Sequence, residues 1–157
     1  MQFSERQLRE TLGISVETFR HWKRVLPPFA ERKRYTPRFS IGDLLAAGVL
    51  QRLTDQCGIR PGCLPEISRT VAEICNGTAW AKLEDKALVV NVRLRTCSIA
   101  QSTREFAAQD VVVICPLRPV MDAVRAGLFR NRPLVSQREL LFPPAAIGEM
   151  RASRRRA

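Results

Sequence analysis

The chain has 157 residues, with 26 lysines and arginines against 15 aspartates and glutamates, for a net charge of +11 at pH 7. That length holds one domain or two small ones, its 45% hydrophobic content is that of a globular protein, and a balance this basic suits a polyanionic partner. No apolar run approaches the roughly 18 residues of a membrane helix, and MQFSERQ does not read as a secretion signal; the expectation is a cytoplasmic, nucleoid-associated protein with no membrane partner.

The first predicted element is a short helix opened by Ser4 and Gln7. The pair reads as a capping box, in which the hydroxyl accepts from the third helical amide and the glutamine reaches back. Leu8 and Leu12, one turn apart, make its inner stripe. Gly13 suits a turn because it takes positive φ without steric cost. Ile14 plugs the corner, and Ser15 caps a second helix ending near Leu26. Phe19 and Trp22, three apart, form the inner face of that helix. Val16, Glu17, Thr18, Arg20, His21 and Arg24 fall outside. Two short helices joined by a glycine turn, the second one basic, are the layout of a helix-turn-helix, whose second helix enters the DNA major groove.

Pro27-Pro28 should end the second helix, since proline brings no amide hydrogen. The next segment, FAERKRYTPRF, sets Arg32, Lys33, Arg34 and Arg38 around Tyr35 and reads as a strand-turn-strand wing whose cations grip phosphates. Ser40 then caps a third helix, IGDLLAAGVLQRLTDQC, with Asp43 near its positive end and Gly58 as its left-handed terminator. A fourth helix is expected from Leu64 to Cys75, stopped by Asn76-Gly77. Between Ser15 and Arg38 seven cations (20, 23, 24, 32, 33, 34, 38) face two acids, Glu17 and Glu31, so positive charge is densest where this arrangement needs it.

The second half has another texture. Trp80–Leu83 and Ala87–Leu94 read as strands about a turn at Glu84-Asp85-Lys86, the second with Leu88, Val90, Val92 and Leu94 on its buried face. The continuous run Val111–Cys115 reads as a central strand. Pro119 suits the first turn of a helix reaching about Leu128, with Met121, Val124 and Leu128 inward and Gly127 and Pro133 at its exit. The fold class expected is α+β. A winged helix-turn-helix, mostly α, occupies residues 1–76. A small α+β module for dimerisation or protein interaction fills 77–142, and a basic flexible tail fills 143–157. The thin core and open sheet edges of the second module predict a homodimer formed through it.

These motifs resemble the DNA-binding domain of the MerR superfamily. That pattern has a Thr-aliphatic-Arg-aromatic-aromatic recognition helix, a basic wing and an aromatic-Ser-x-x-Asp-Leu start to the third helix. Here it is matched by Thr18-Phe19-Arg20-His21-Trp22 and by Phe39-Ser40-Ile41-Gly42-Asp43-Leu44. The likeness covers residues Gln2 to about Cys75. It implies DNA contacts from Thr18, Arg20 and His21 and from Arg34 or Arg38 in the wing. His21 stands where the family usually has tyrosine, and Lys23 replaces a usual acid. The chain breaks at Asn76-Gly77 instead of entering the family's long dimerising helix, so its dimer geometry and effector sensing do not carry over. Excisionase-like modules share the wing without that helix.

The function expected is that of a sequence-specific transcriptional regulator binding double-stranded DNA. Arg20 and Arg24 would read guanine edges, Thr18 and His21 would meet phosphate or base, and Lys23, Lys33, Arg34 and Arg38 would neutralise backbone. Ser15 and Tyr35 complete the DNA-facing set. The alternatives are an architectural or recombination-directionality protein and a DNA-tethered protein-interaction module. No enzyme and no cofactor are expected: there is no phosphate-binding glycine loop, no H-E-x-x-H and no G-x-S-x-G, and Glu84, Asp85, Asp110 and Asp122 have no partner histidine. Cys57, Cys63, Cys75, Cys97 and Cys115 contain no C-x-x-C pair and read as reduced, structural thiols, with no metal site. A redox or metal role for Cys57, Cys63 and Cys75 is the alternative.

Overall fold

The sequence signals at the start of the chain are realised atom for atom. In the computed structural model, which describes residues 1–30, 38–100 and 111–130, helix α1 spans Glu5–Leu12. Its capping box is closed: the Gln7 amide donates to Ser4 Oγ at 3.2 Å and the Ser4 amide to Gln7 Oε1 at 2.8 Å. Gly13 takes φ +68° and returns its amide to the Arg9 carbonyl. Ile14 is buried in the corner, and α2 runs Val16–Val25 with the Thr18 amide on Ser15 Oγ at 3.0 Å. Leu26 ends α2 in an extended conformation. Pro27-Pro28 then does more than stop it, opening a one-turn helix α3, Pro27–Ala30. Proline suits that first turn because its missing amide would have had no helical partner.

Helix α4, Ile41–Asp55, is the centre of the molecule. Ser40 and Asp43 form a second capping box, and Leu44, Leu45, Ala47, Val49, Leu50 and Leu53 are all buried, as expected of a helix apolar around its circumference. It ends two residues before the predicted Cys57; Gly58, just beyond, has φ +66°. A single 3-10 turn at Pro61–Cys63 leads to α5, Pro65–Gly77, so Asn76-Gly77 closes the helix from within. Asn76 also ties two helices together: its amide donates to Asp43 Oδ1 at 3.1 Å while its carbonyl oxygen accepts from Ser40 Oγ at 2.5 Å. A Cβ at Gly42 would lie 2.6 Å from the Cys75 carbonyl oxygen, so the start of α4 and the end of α5 touch backbone to side chain.

The second half follows the α+β expectation with its parts rearranged. Trp80–Leu83, expected as a strand, is a one-turn helix, α6. Strand β1 is Ala87–Asn91 and does not continue to Leu94. The Leu94 amide donates to Asn91 Oδ1 at 2.9 Å and Arg95 has φ 55°, so the chain turns and Leu94 is exposed. That turn feeds β2, Thr96–Ala100, which the sequence reading did not identify. Strand β3 is Val113–Pro116. The antiparallel sheet has the order β2-β1-β3, so the apolar run predicted as central lies at an edge. All five residues of β1 are buried instead. Helix α7, Leu117–Arg130, follows β3 directly and packs on α1 and α4.

The core does not break at residue 76. Leu88, Val90, Leu117, Val120, Met121 and Val124 belong to the same buried cluster as Leu8, Phe19 and Leu44. Among the described residues there are seven α-helices and one three-stranded sheet, and none of those helices is long and apolar enough to cross a membrane.

Candidate nucleic-acid interface

Helix α2 is held from beneath by aromatic rings. Phe19 and Trp22 on its inner face are 0% and 1% exposed. Phe19 packs at 5.4 Å, centroid to centroid, on Phe29 of α3 and at 5.9 Å on Phe39, while Trp22 stacks on Phe29 at 5.8 Å. These separations are in the attractive range for ring pairs. Phe29 and Phe39 stand on either side of the basic segment 31–37. Phe39 is also locked to Phe3 by a two-bond bridge, each amide donating to the other's carbonyl at 2.8 Å. The rings that fix α2 therefore also fix the points where the basic segment departs and returns. The residues expected in the wing itself, Arg32, Lys33, Arg34 and Tyr35, lie outside the described residues. Arg38, at its base, is exposed and donates to Gln2 Oε1 at 3.1 Å.

The outer face of α2 carries the candidate residues. Ser15, Glu17, Thr18, Arg20, His21, Lys23 and Arg24 are all exposed. Arg20, His21 and Arg24 have no ion-pair or hydrogen-bond partner among the described residues. Lys23 differs. Its ammonium pairs with Glu5 Oε2 at 2.8 Å and stands 5.9 Å from the Phe19 ring centroid, so it leans back along the flank towards α1. A partly exposed pair of this kind contributes little and releases easily. Ser15 Oγ donates to Thr18 Oγ1 at 3.0 Å, so the Thr18 hydroxyl proton remains available to an outside acceptor.

Several cations elsewhere among the described residues are engaged. Arg118 meets Asp85 at 2.9 Å, and Arg125 sits between Glu84 at 3.3 Å and Asp122 at 3.2 Å. Arg6 pairs with Glu10 at 2.6 Å and Arg95 with Glu66 at 3.7 Å. Arg52 donates to the Pro119 carbonyl at 2.8 Å. Three of the acids without a partner histidine, Glu84, Asp85 and Asp122, are thus counter-ions of α7 arginines. Asp110 lies outside the described residues. The outward arginines of α2 have no counter-charge among the described residues.

The cysteines are divided by burial. Cys57 and Cys63 are exposed; Cys75 and Cys115 are buried and Cys97 half-buried. Burial disfavours the thiolate, and pushes Cys75 and Cys97 up to about 12 and raises Cys115. Thiols held protonated in this way are poor nucleophiles and poor metal ligands. Cys97 lies across from Val90 and Cys115 across from Leu88, on opposite sides of β1. Two strand spacings, roughly 9.5 Å, exceed what a disulfide spans. Among the described residues no cluster of three or more histidine, cysteine or acidic side chains is arranged to hold a metal.

Sequence reasoning found the face of α2 and missed its supports. Phe29 and Phe39 were read as flanks of a wing, yet a signal was present. Phe3-Ser4-Glu5-Arg6-Gln7-Leu8 and Phe39-Ser40-Ile41-Gly42-Asp43-Leu44 repeat one pattern: an aromatic residue, a serine cap, a polar third position and a leucine. Such a pattern marks a hydrophobic staple at a helix start, and the two phenylalanines are the pair that bridge. Comparison with family models, with curated proteins and with solved structures finds no match for this chain.

Proposed function

We propose that this protein is a sequence-specific, double-stranded DNA-binding transcriptional regulator that lays α2 in the major groove. The observation that carries the reading is the pairing of two features on one helix: an outward face with Arg20, His21 and Arg24 unpaired among the described residues, and an inner face clamped by the rings of Phe29 and Phe39. A reading helix needs both, because base recognition depends on donors held in fixed register, and an arginine already bound to a carboxylate has to give up that partner first. Arg20 and Arg24 are the residues suited to guanine O6 and N7, with Thr18 and His21 beside them. Lys23 and Arg38, with Lys33 and Arg34 of the neighbouring segment, supply charge for phosphates. The resemblance to MerR-type domains, confined to the first half, agrees with this placement.

The test is selection from a randomised duplex library with the full chain at about 150 mM salt, where non-specific electrostatic binding is weakened. Enrichment of one motif is expected, and a two-fold repeat within it would add the expected homodimer. Recovery of no motif, with binding only at low salt, would contradict sequence-specific regulation and favour an architectural role.

A further inference from the structure

Helices α1 and α2 carry three glutamates, and two of them are engaged by cations. Glu5 Oε2 pairs with Lys23 at 2.8 Å and Glu10 Oε1 with Arg6 at 2.6 Å. Glu17, the second residue of α2, is exposed and has no ion-pair or hydrogen-bond partner among the described residues. The spacing would allow one. Arg20 and His21 stand three and four residues on, the separations at which helix side chains meet, yet neither pairs with it. The start of the helix is already capped by Ser15 Oγ, which accepts from the Thr18 amide at 3.0 Å, so the carboxylate is not tied up there. Glu17 therefore presents a bare carboxylate on the face that holds Arg20, His21 and Arg24, in one stripe at helical spacing. An acid in that place opposes phosphates, and a reading helix meets base edges with its N-terminal residues. Among those edges cytosine shows the N4 amino donor, whereas guanine shows two acceptors and adenine sets the acceptor N7 beside its N6 donor.

We propose that Glu17 is a specificity-determining residue of α2 that accepts a hydrogen bond from cytosine N4 in the major groove. The inference rests on the DNA-binding reading of α2 and adds to it a residue of opposite charge. Arg20 lies three residues on, about 4.5 Å along the helix axis, so the cytosine falls within about two base pairs of the guanine that Arg20 reads. The carboxylate acts by selection more than by affinity: it repels phosphates on every duplex and gains a partner only where cytosine stands. Specificity then comes from an unfavourable contact as much as from a favourable one.

The experiment measures binding of the full chain, of Glu17→Ala and of Glu17→Gln to the selected duplex, to every single-base variant of it and to a scrambled duplex, at one salt concentration. Glu17→Ala should lose about 10-fold or more of discrimination at one C·G pair while binding the scrambled duplex more tightly than the parent. Glu17→Gln should move the preference at that position to adenine, since a glutamine amide matches N6 and N7 together. A uniform change on every duplex, with discrimination intact, overturns the proposal and leaves Glu17 as an acid that favours the helix start. Relaxation at an A·T pair overturns it too. Arg20→Ala, run in parallel, separates the two readings. If it relaxes its own position and the Glu17 variants relax none, α2 as reader stands and the role of Glu17 falls; if none of the three relaxes any position, α2 as reader falls with it.

Discussion

Replacing Trp22 by alanine is expected to lower the unfolding free energy by about 3–5 kcal/mol, the cost of deleting a fully buried large aromatic side chain. The position is unforgiving for a specific reason. Trp22 is 1% exposed and stacks on Phe29 with an interplanar angle of 22°, and Phe29 is itself packed on Phe19 and, at 6.3 Å, on Phe39. The indole therefore supports α2 and Phe29 directly, and through Phe29 the cluster that includes Phe39. Its loss leaves a cavity beside the rings of Phe19 and Phe29, both of which also pack on Phe39, itself fixed by its backbone bridge to Phe3. Urea unfolding followed by circular dichroism reads the effect. A loss under 1 kcal/mol would mean that the aromatic cluster is not what holds the helix. Trp22→Phe, which keeps a ring, should recover about half of the loss or more.

The second large effect has a sign opposite to what helix propensity gives. Alanine is favoured over glycine inside a helix by about 1 kcal/mol, so Gly127→Ala, within α7, would ordinarily stabilise. Here the added methyl meets the Thr11 carbonyl oxygen, a backbone atom that moves only if α1 or α7 moves. Overpacking of this kind costs about 1–3 kcal/mol, and Gly127→Ala should destabilise by about 2 kcal/mol. Gly77→Ala is the matched control. Gly77 closes α5, has ordinary negative φ, and a Cβ there meets nothing within 4 Å, so the change should be neutral or stabilise by up to about 1 kcal/mol. Thermal denaturation of the two variants beside the parent decides the point. Stabilisation by both would show that α1 and α7 do not touch at this glycine.

The elements read correctly from sequence are those whose signals are local. Ser4 with Gln7, Gly13, Ser15, and Ser40 with Asp43 each specify a helix boundary through atoms three or four residues apart, and Phe19 with Trp22 marks the inner face of α2 by spacing alone. The second half resisted because its elements depend on partners distant in sequence. Trp80–Leu83 is too short for its period to show. It settles as a helical turn with Trp80 under the Arg125 guanidinium of α7, 5.7 Å from the ring centroid. Thr96–Ala100 alternates only over Thr96-Cys97-Ser98-Ile99, too short a signal by itself, and becomes a strand through its ladder with β1. Val111–Cys115 has the composition of a central strand, but position in a sheet is set by topology, and topology places β1 in the middle. On α2 the chemical face was legible from charge and period. The rings that fix it were not, because Phe29 and Phe39 reach it from elements 10 and 20 residues beyond Phe19.

The central claim is that α2 reads bases, and Arg20 is its most direct probe. The measurement is the affinity of Arg20→Ala and of the parent for the selected duplex and for every single-base variant of it, at one fixed salt concentration. The account predicts a loss of about 1–3 kcal/mol on the selected site, with discrimination relaxed at one base position and retained at the others. An equal loss on every duplex would reduce Arg20 to a phosphate contact, and no loss at all would remove α2 from the interface.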